Sequence, residues 1–242
     1  MLPLSYHEIT DACAQPGCPL CRLAERTVQR HLDRVIYDSV NDPPTRARLR
    51  ESFGYCYPHA WQLTQTGDGT AVGVAFIYRD MLNAITKLLQ TAQGERPSPS
   101  LLARLREKLN RTRPSSATEP IVQQLVPGYN CLACAERDKM TDLFLITLTD
   151  ALGKGDAVME QALRDSDGLC VPHLRQALAL TRSETAVATL LTLTTTKLLA
   201  LQAELSELLR KNDYRFRGEG FGSEADSWLR AVSAVIGAAR PE

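Results

Sequence analysis

The sequence predicts an all-α protein: two tandem helical repeats, each stapled by a three-cysteine, one-histidine metal site, followed by a C-terminal helical extension. Three observations carry this reading. Six of the seven cysteines fall into two matching sets, apolar residues recur at helical spacing along most of the chain, and strand signals are sparse.

The two sets are Cys18, Cys21, Cys56 with His59, and Cys131, Cys134, Cys170 with His173. The second-to-third cysteine intervals are 35 and 36 residues, and the partner motifs read Gly54-Tyr55-Cys56-Tyr57-Pro58-His59 and Gly168-Leu169-Cys170-Val171-Pro172-His173. The likeness continues past the ligands, because Thr70-Ala71-Val72 and Thr185-Ala186-Val187 each open a long apolar-periodic segment. Repetition within one chain of ligand type, order and spacing indicates a tandem duplication, with halves near 8–92 and 121–212. Cysteine thiolates and imidazoles at CxxC and CxxH spacing are metal ligands by chemistry, and each half is expected to close its own site.

The elements follow in order. Cys18 and Cys21 head a helix in which Leu23, Val28, Leu32, Val35 and Ile36 recur at helical spacing, until Asn41-Asp42-Pro43-Pro44 stops it. In the CxPH motifs the proline suits a first helical turn, so cysteine and histidine three apart project from one face. A free N-terminal turn stabilises thiolate over thiol, which suits a three-thiolate site. Each repeat then reads as a long helix, a short helix, a ligand-bearing short helix and a second long helix, from Ala71 to Gln90 or from Thr185 to Leu209. The repeats occupy 1–92 and 121–212. Between them, 93–120 is a basic linker with a short helix over Leu101 to Arg111, carrying Arg104, Arg106, Lys108, Arg111 and Arg113. The C-terminal clasp, 213–242, has an aromatic and arginine segment, Tyr214 to Phe221, then a capped helix from Ser223 through Ile236.

Composition bounds the rest. The 242 residues are 44% hydrophobic and 23% charged, the balance of a globular protein. Lys plus Arg and Asp plus Glu are 28 each, so no global field draws the chain to nucleic acid or an anionic membrane. The N-terminus has no basic segment followed by an apolar one, and no uninterrupted apolar run reaches the ~18 residues of a membrane span. The expected address is the cytoplasm, where close cysteine pairs are metal ligands or redox groups rather than disulfides. No phosphate loop, nucleotide fingerprint or nucleophile elbow occurs, and no catalytic residue is assigned. His7 and His31 lie outside the repeated pattern and read as ordinary side chains, and Cys13 reads as a small hydrophobe.

The paired CPxC and CxPH motifs, with Asp213-Tyr214-Arg215-Phe216-Arg217 and Asp226-Ser227-Trp228 near the end, resemble an uncharacterised bacterial and archaeal family known only as a domain of unknown function. The resemblance implies the duplicated ligand motif and the terminal segment as joint features. Two zinc ions are the first reading of the cofactor, since three thiolates and an imidazole are a common closed zinc set. Two [4Fe–4S] clusters, serving electron transfer, are the second. A binding or adaptor role with a protein partner is expected. A nucleic-acid partner is the alternative, through the stripe Arg22, Arg26, Arg30, Arg34 or the linker arginines, with Tyr214, Phe216 and Phe221 available for stacking.

Overall fold

The computed structural model describes residues 3–67, 70–94, 119–216 and 218–238. The basic linker helix expected over Leu101 to Arg111 lies outside them. Among the described residues all regular structure is helical and no strand occurs.

The chain forms two compact units that do not follow the halves of the sequence: one of residues 1–29 with 136–242, the other of residues 30–135. The division falls within two helices, α2 (Pro19–Arg34) and α7 (Leu132–Gly153).

The first unit holds α1 (Leu4–Cys13), the start of α2, most of α7, α8 (Ala157–Asp165), α9 (Val171–Leu180), α10 (Glu184–Lys211) and α11 (Ser227–Ile236). Its core joins Ile9 of α1, Leu20 and Leu23 of α2, Phe144, Leu145 and Leu148 of α7, Met159 of α8 and Leu190 of α10, all nearly inaccessible. Each such side chain contributes roughly 1.5–3 kcal/mol on burial. Polar ties fix the register: Tyr6 Oη donates to Asp156 Oδ1 at 2.9 Å, and the same carboxylate caps α8 through the Val158 and Met159 amides. Cys13 is 4% exposed within this core, as a small hydrophobe should be.

In the second unit α2 ends in a π turn over Val35–Ser39, and α3 (Pro43–Glu51) restarts at Pro43 with Asp42 as its cap, accepting from Thr45 N at 2.9 Å. Then come α4 (Tyr57–Leu63), α5 (Thr70–Gly94) and α6 (Glu119–Gln124). The α3–α5 packing is tied by Asp80, which binds Arg50 at 2.6 Å and Arg46 at 3.2 Å. Gly73 lets α5 approach the π turn, since a Cβ there would sit 2.8 Å from Ile36 Cδ1.

Among the described residues one helix, α10, is by length and composition apolar enough to cross a membrane, with mean hydropathy 1.3 and 22% of that window buried. Ala186, Leu190, Leu193 and Thr194 turn inward, while Lys197 and Glu204 along the same helix are bonded to the first unit.

Candidate metal centres

All four ligand pairs stand at helix starts, as the spacing predicts. Cys56 and Cys170 are the N-caps of α4 and α9, and Cys18 and Cys131 immediately precede α2 and α7. The carbonyl of each accepts the first helical bond, from Arg22, Ala60, Ala135 and Leu174. The second ligand of every pair, Cys21, His59, Cys134 or His173, is therefore the third residue of its helix and stands over the cap. Pro58 and Pro172 occupy the first turn, where a missing N–H costs nothing. Gly54 (φ 87°) and Gly168 (φ 81°) turn the chain into the CxPH segments with a left-handed backbone that favours glycine.

The eight residues gather into two groups, but the pairing within each half is corrected. Cys18 and Cys21 meet Cys170 and His173, while Cys56 and His59 meet Cys131 and Cys134, the ligand atoms of each group lying within 4.8 Å of one another. The CxxC of each half thus joins the CxPH of the other, and each group falls inside one compact unit. The cause is helix length. Tyr55, next to Cys56, hydrogen-bonds through its hydroxyl to His31 Nε2 at 3.2 Å. That point is about 20 Å along α2 from Cys18 at 1.5 Å per residue. Likewise Leu169, beside Cys170, is buried in the same core as Phe144, Leu145 and Leu148, which lie more than three turns along α7 from Cys131.

In the first centre Cys21 Sγ lies 3.7 Å from Cys170 Sγ, and His173 Nδ1 lies 3.2 Å from Cys170, 3.5 Å from Cys21 and 3.6 Å from Cys18. In the second, Cys56 Sγ lies 3.6 Å from Cys134 Sγ, and His59 Nδ1 lies 3.2, 3.3 and 3.5 Å from Cys56, Cys134 and Cys131. Both histidines face their sulfurs through Nδ1.

The groups compete for protons. Hydrogen bonds from Cys170 and Cys18 hold the Cys21 thiol far below its usual range, while bonds to Cys170 and Cys21, with burial, drive Cys18 far above it. Burial lowers His173, but its bonds to Cys170 and Cys21 outweigh this and push it up to about 9. In the second centre burial and the neighbouring Cys131 push Cys134 up to about 12. Burial raises Cys131 too, but His59 and the Cys56 and Cys134 amides hold it below the ordinary thiol value. Three thiolates this close repel by about 4 kcal/mol per pair at an effective dielectric near 20. A cation at the centre removes that conflict, and each Cys3His group can hold a metal ion.

Sequence reasoning missed the residues that support the first centre. Lys197 Nζ binds the carbonyls of Arg164, at 2.8 Å, and of Ser166, bracing the loop ahead of Cys170. Asp167 accepts from Gly17 N, joining that loop to the one before Cys18. At the far end of the chain, Ala238 N–H donates to Cys21 Sγ at 3.4 Å. His31 serves Tyr55, and the arginine stripe is partly engaged, Arg22 binding the Pro16 carbonyl and Arg34 approaching His31 Nδ1 at 3.4 Å. Of the stacking candidates, Tyr214 and Phe221 are exposed, whereas Phe216 lies under Arg210, 4.5 Å from its guanidinium carbon.

The fold and site define an all-helical protein with two Cys3His groups at helix N-termini, each able to hold a metal ion. The chain belongs to the family described as Family of unknown function (DUF6062), which matches residues 5–242. It is similar to the Uncharacterized 23.9 kDa protein in xynA 3'region of Caldicellulosiruptor sp. (strain Rt8B.4), 26% identical over 222 residues that span 91% of this chain and 95% of that protein. No solved structure matches.

Proposed function

We propose that the protein is a helical adaptor whose fold is closed by two structural zinc ions, one in each Cys3His group. The spacing of the ligand atoms carries the choice of metal. Bonds of about 2.3 Å to sulfur and about 2.0 Å to nitrogen around a tetrahedral ion place sulfurs about 3.8 Å apart and sulfur about 3.5 Å from nitrogen. One sulfur pair in each centre is 3.7 or 3.6 Å apart, sulfur to nitrogen is 3.2 to 3.6 Å, and all ligand atoms of a group lie within 4.8 Å of one another. A four-iron cluster sets its own iron and sulfide atoms between the ligands and spreads them wider than one ion does, so the spacing favours a single ion over a cluster.

The structural role rests on ligand count. Four protein ligands fill a zinc tetrahedron and leave no position for water, and neither group includes a carboxylate that could act as a base. Each ion would join two helix starts far apart in sequence, holding α2 to α9 and α4 to α7. Unpaired thiols and metal–thiolate centres persist in a reducing compartment, so we place the protein in the cytoplasm. With opposite charges balanced at 28 each, we take the partner to be a protein rather than a polyanion.

The test is metal content by mass spectrometry, with a visible spectrum, on full-length protein purified without oxygen. Two zinc per chain and no colour are expected. Several iron and sulfide per chain in a brown sample would replace this reading with the redox one.

A further inference from the structure

The two centres are built alike but covered differently. The last helical segment ends on the first centre: besides the Ala238 amide on Cys21, Gly237 adopts φ 97°, and a Cβ there would lie 3.5 Å from Cys21 Sγ and 3.9 Å from Cys170 Sγ. Partly exposed ligands remain in both centres, Cys21 and His173 in the first and Cys56, Cys131 and Cys134 in the second, and among the described residues the terminal segment reaches a sulfur of the first.

The covering helix packs on α9 and α10 through a narrow face. Of its residues, Ser227 is fully buried and Arg230, Ala231, Ser233 and Ala234 are half-buried, so its inward face is small and polar. Trp228, Leu229, Val232, Val235 and Ile236 are each more than half exposed, so little apolar area holds it down. Beneath it lies a cavity of about 290 Å³, reached by Cys18, Cys170, Lys197, Glu204, Arg230 and Ser233. The attachments are ionic: Arg230 binds Glu204 and Asp226, and Lys211 binds Glu224 at 2.7 Å. The Arg230 pairs are partly exposed and salt-screened, whereas Lys211–Glu224 is nearly buried, and a terminal segment held by so little apolar area opens well below the cost of global unfolding.

We infer that residues 227–238 are a lid on the first metal centre, and that its opening sets how fast that centre exchanges its ion, leaving the second centre as the readily exchanging one. The inference rests on the metal reading above. Closed, the lid covers Cys21 with a backbone donor and the Gly237 methylene; open, it leaves that thiolate to water and competing ligands.

The experiment follows zinc release from full-length loaded protein to an excess of 4-(2-pyridylazo)resorcinol by absorbance. Two equivalents are expected in two phases, with the slow one absent from Cys170→Ser. Gly237→Val, which places a branched side chain in a left-handed conformation, should speed the slow phase about tenfold. Arg230→Ala, which cuts the ionic attachment, should speed it about fivefold. The fast phase should not change in either variant. A single rate constant for both equivalents in the unaltered protein, or a slow phase indifferent to both substitutions, overturns the lid. A total below two equivalents overturns the metal assignment instead, and the lid with it.

Discussion

Gly168→Ala changes one methyl group two residues ahead of Cys170, and its cost can be worked from the geometry. Gly168 sits at φ 81°, and a Cβ there would be 2.7 Å from Lys197 Cδ and 3.4 Å from Cε. The left-handed conformation costs a non-glycine residue roughly 1–2 kcal/mol. Moving the lysine stem also loosens Nζ from the Arg164 and Ser166 carbonyls, worth about 1 kcal/mol for a partly exposed group. The sum of about 2–3 kcal/mol corresponds to roughly 4–12 °C in apparent Tm for a chain of this size. Gly155→Ala is the internal control, because Gly155 has φ 70° and nothing within 4 Å of its Cβ position. It should carry only the conformational cost, and about half the shift. Far-UV circular dichroism of the zinc-loaded variants at one scan rate measures both. Equal shifts would refute the claim that Lys197 braces the ligand loop.

Two further outcomes are expected. The amides of Met159 and Val158 and the Tyr6 hydroxyl hold the Asp156 carboxyl below its ordinary value, so the stability it contributes is present above that ordinary value and lost as pH falls through the lowered one. Asp156→Ala should cost about 1 kcal/mol near neutral pH. In urea titrations the gap to the unaltered protein should narrow around pH 3; a gap constant with pH would contradict the assignment. Burial pushes the Cys13 thiol up to about 11, so iodoacetamide at pH 8 should leave it unmodified in the native loaded protein, as read by peptide mass spectrometry.

The ligands were legible in the sequence because the chemistry repeats: CxxC and CxPH recur with the same order and nearly the same interval, and helix-start geometry follows from the proline and the three-residue step. The helix order of both halves was legible in part for a related reason, since α2 and α8 carry apolar residues at helical spacing between clear stops. The pairing was not legible. Intervals of 35 and 36 residues are the same whichever CxPH joins which CxxC, and the Tyr55 bond to His31 of α2 and the burial of Leu169 in the core of the first unit are set by packing rather than spacing. The lid was hidden because its polar face is the inward one, against the usual sense of an amphipathic helix. A glycine closing α11 at Gly237 was the signal available, since a left-handed residue is common just beyond a helix end.

The exchange of ligands between the halves is the central claim, and metal counting on two double variants addresses it most directly. Cys18→Ser with Cys170→Ser removes two ligands from one centre in the arrangement described here, so one zinc per chain should remain; Cys18→Ser with Cys56→Ser damages both centres, and none should remain. The opposite result, no zinc in the first double variant and one in the second, would contradict the crossed pairing and restore a separate site within each half.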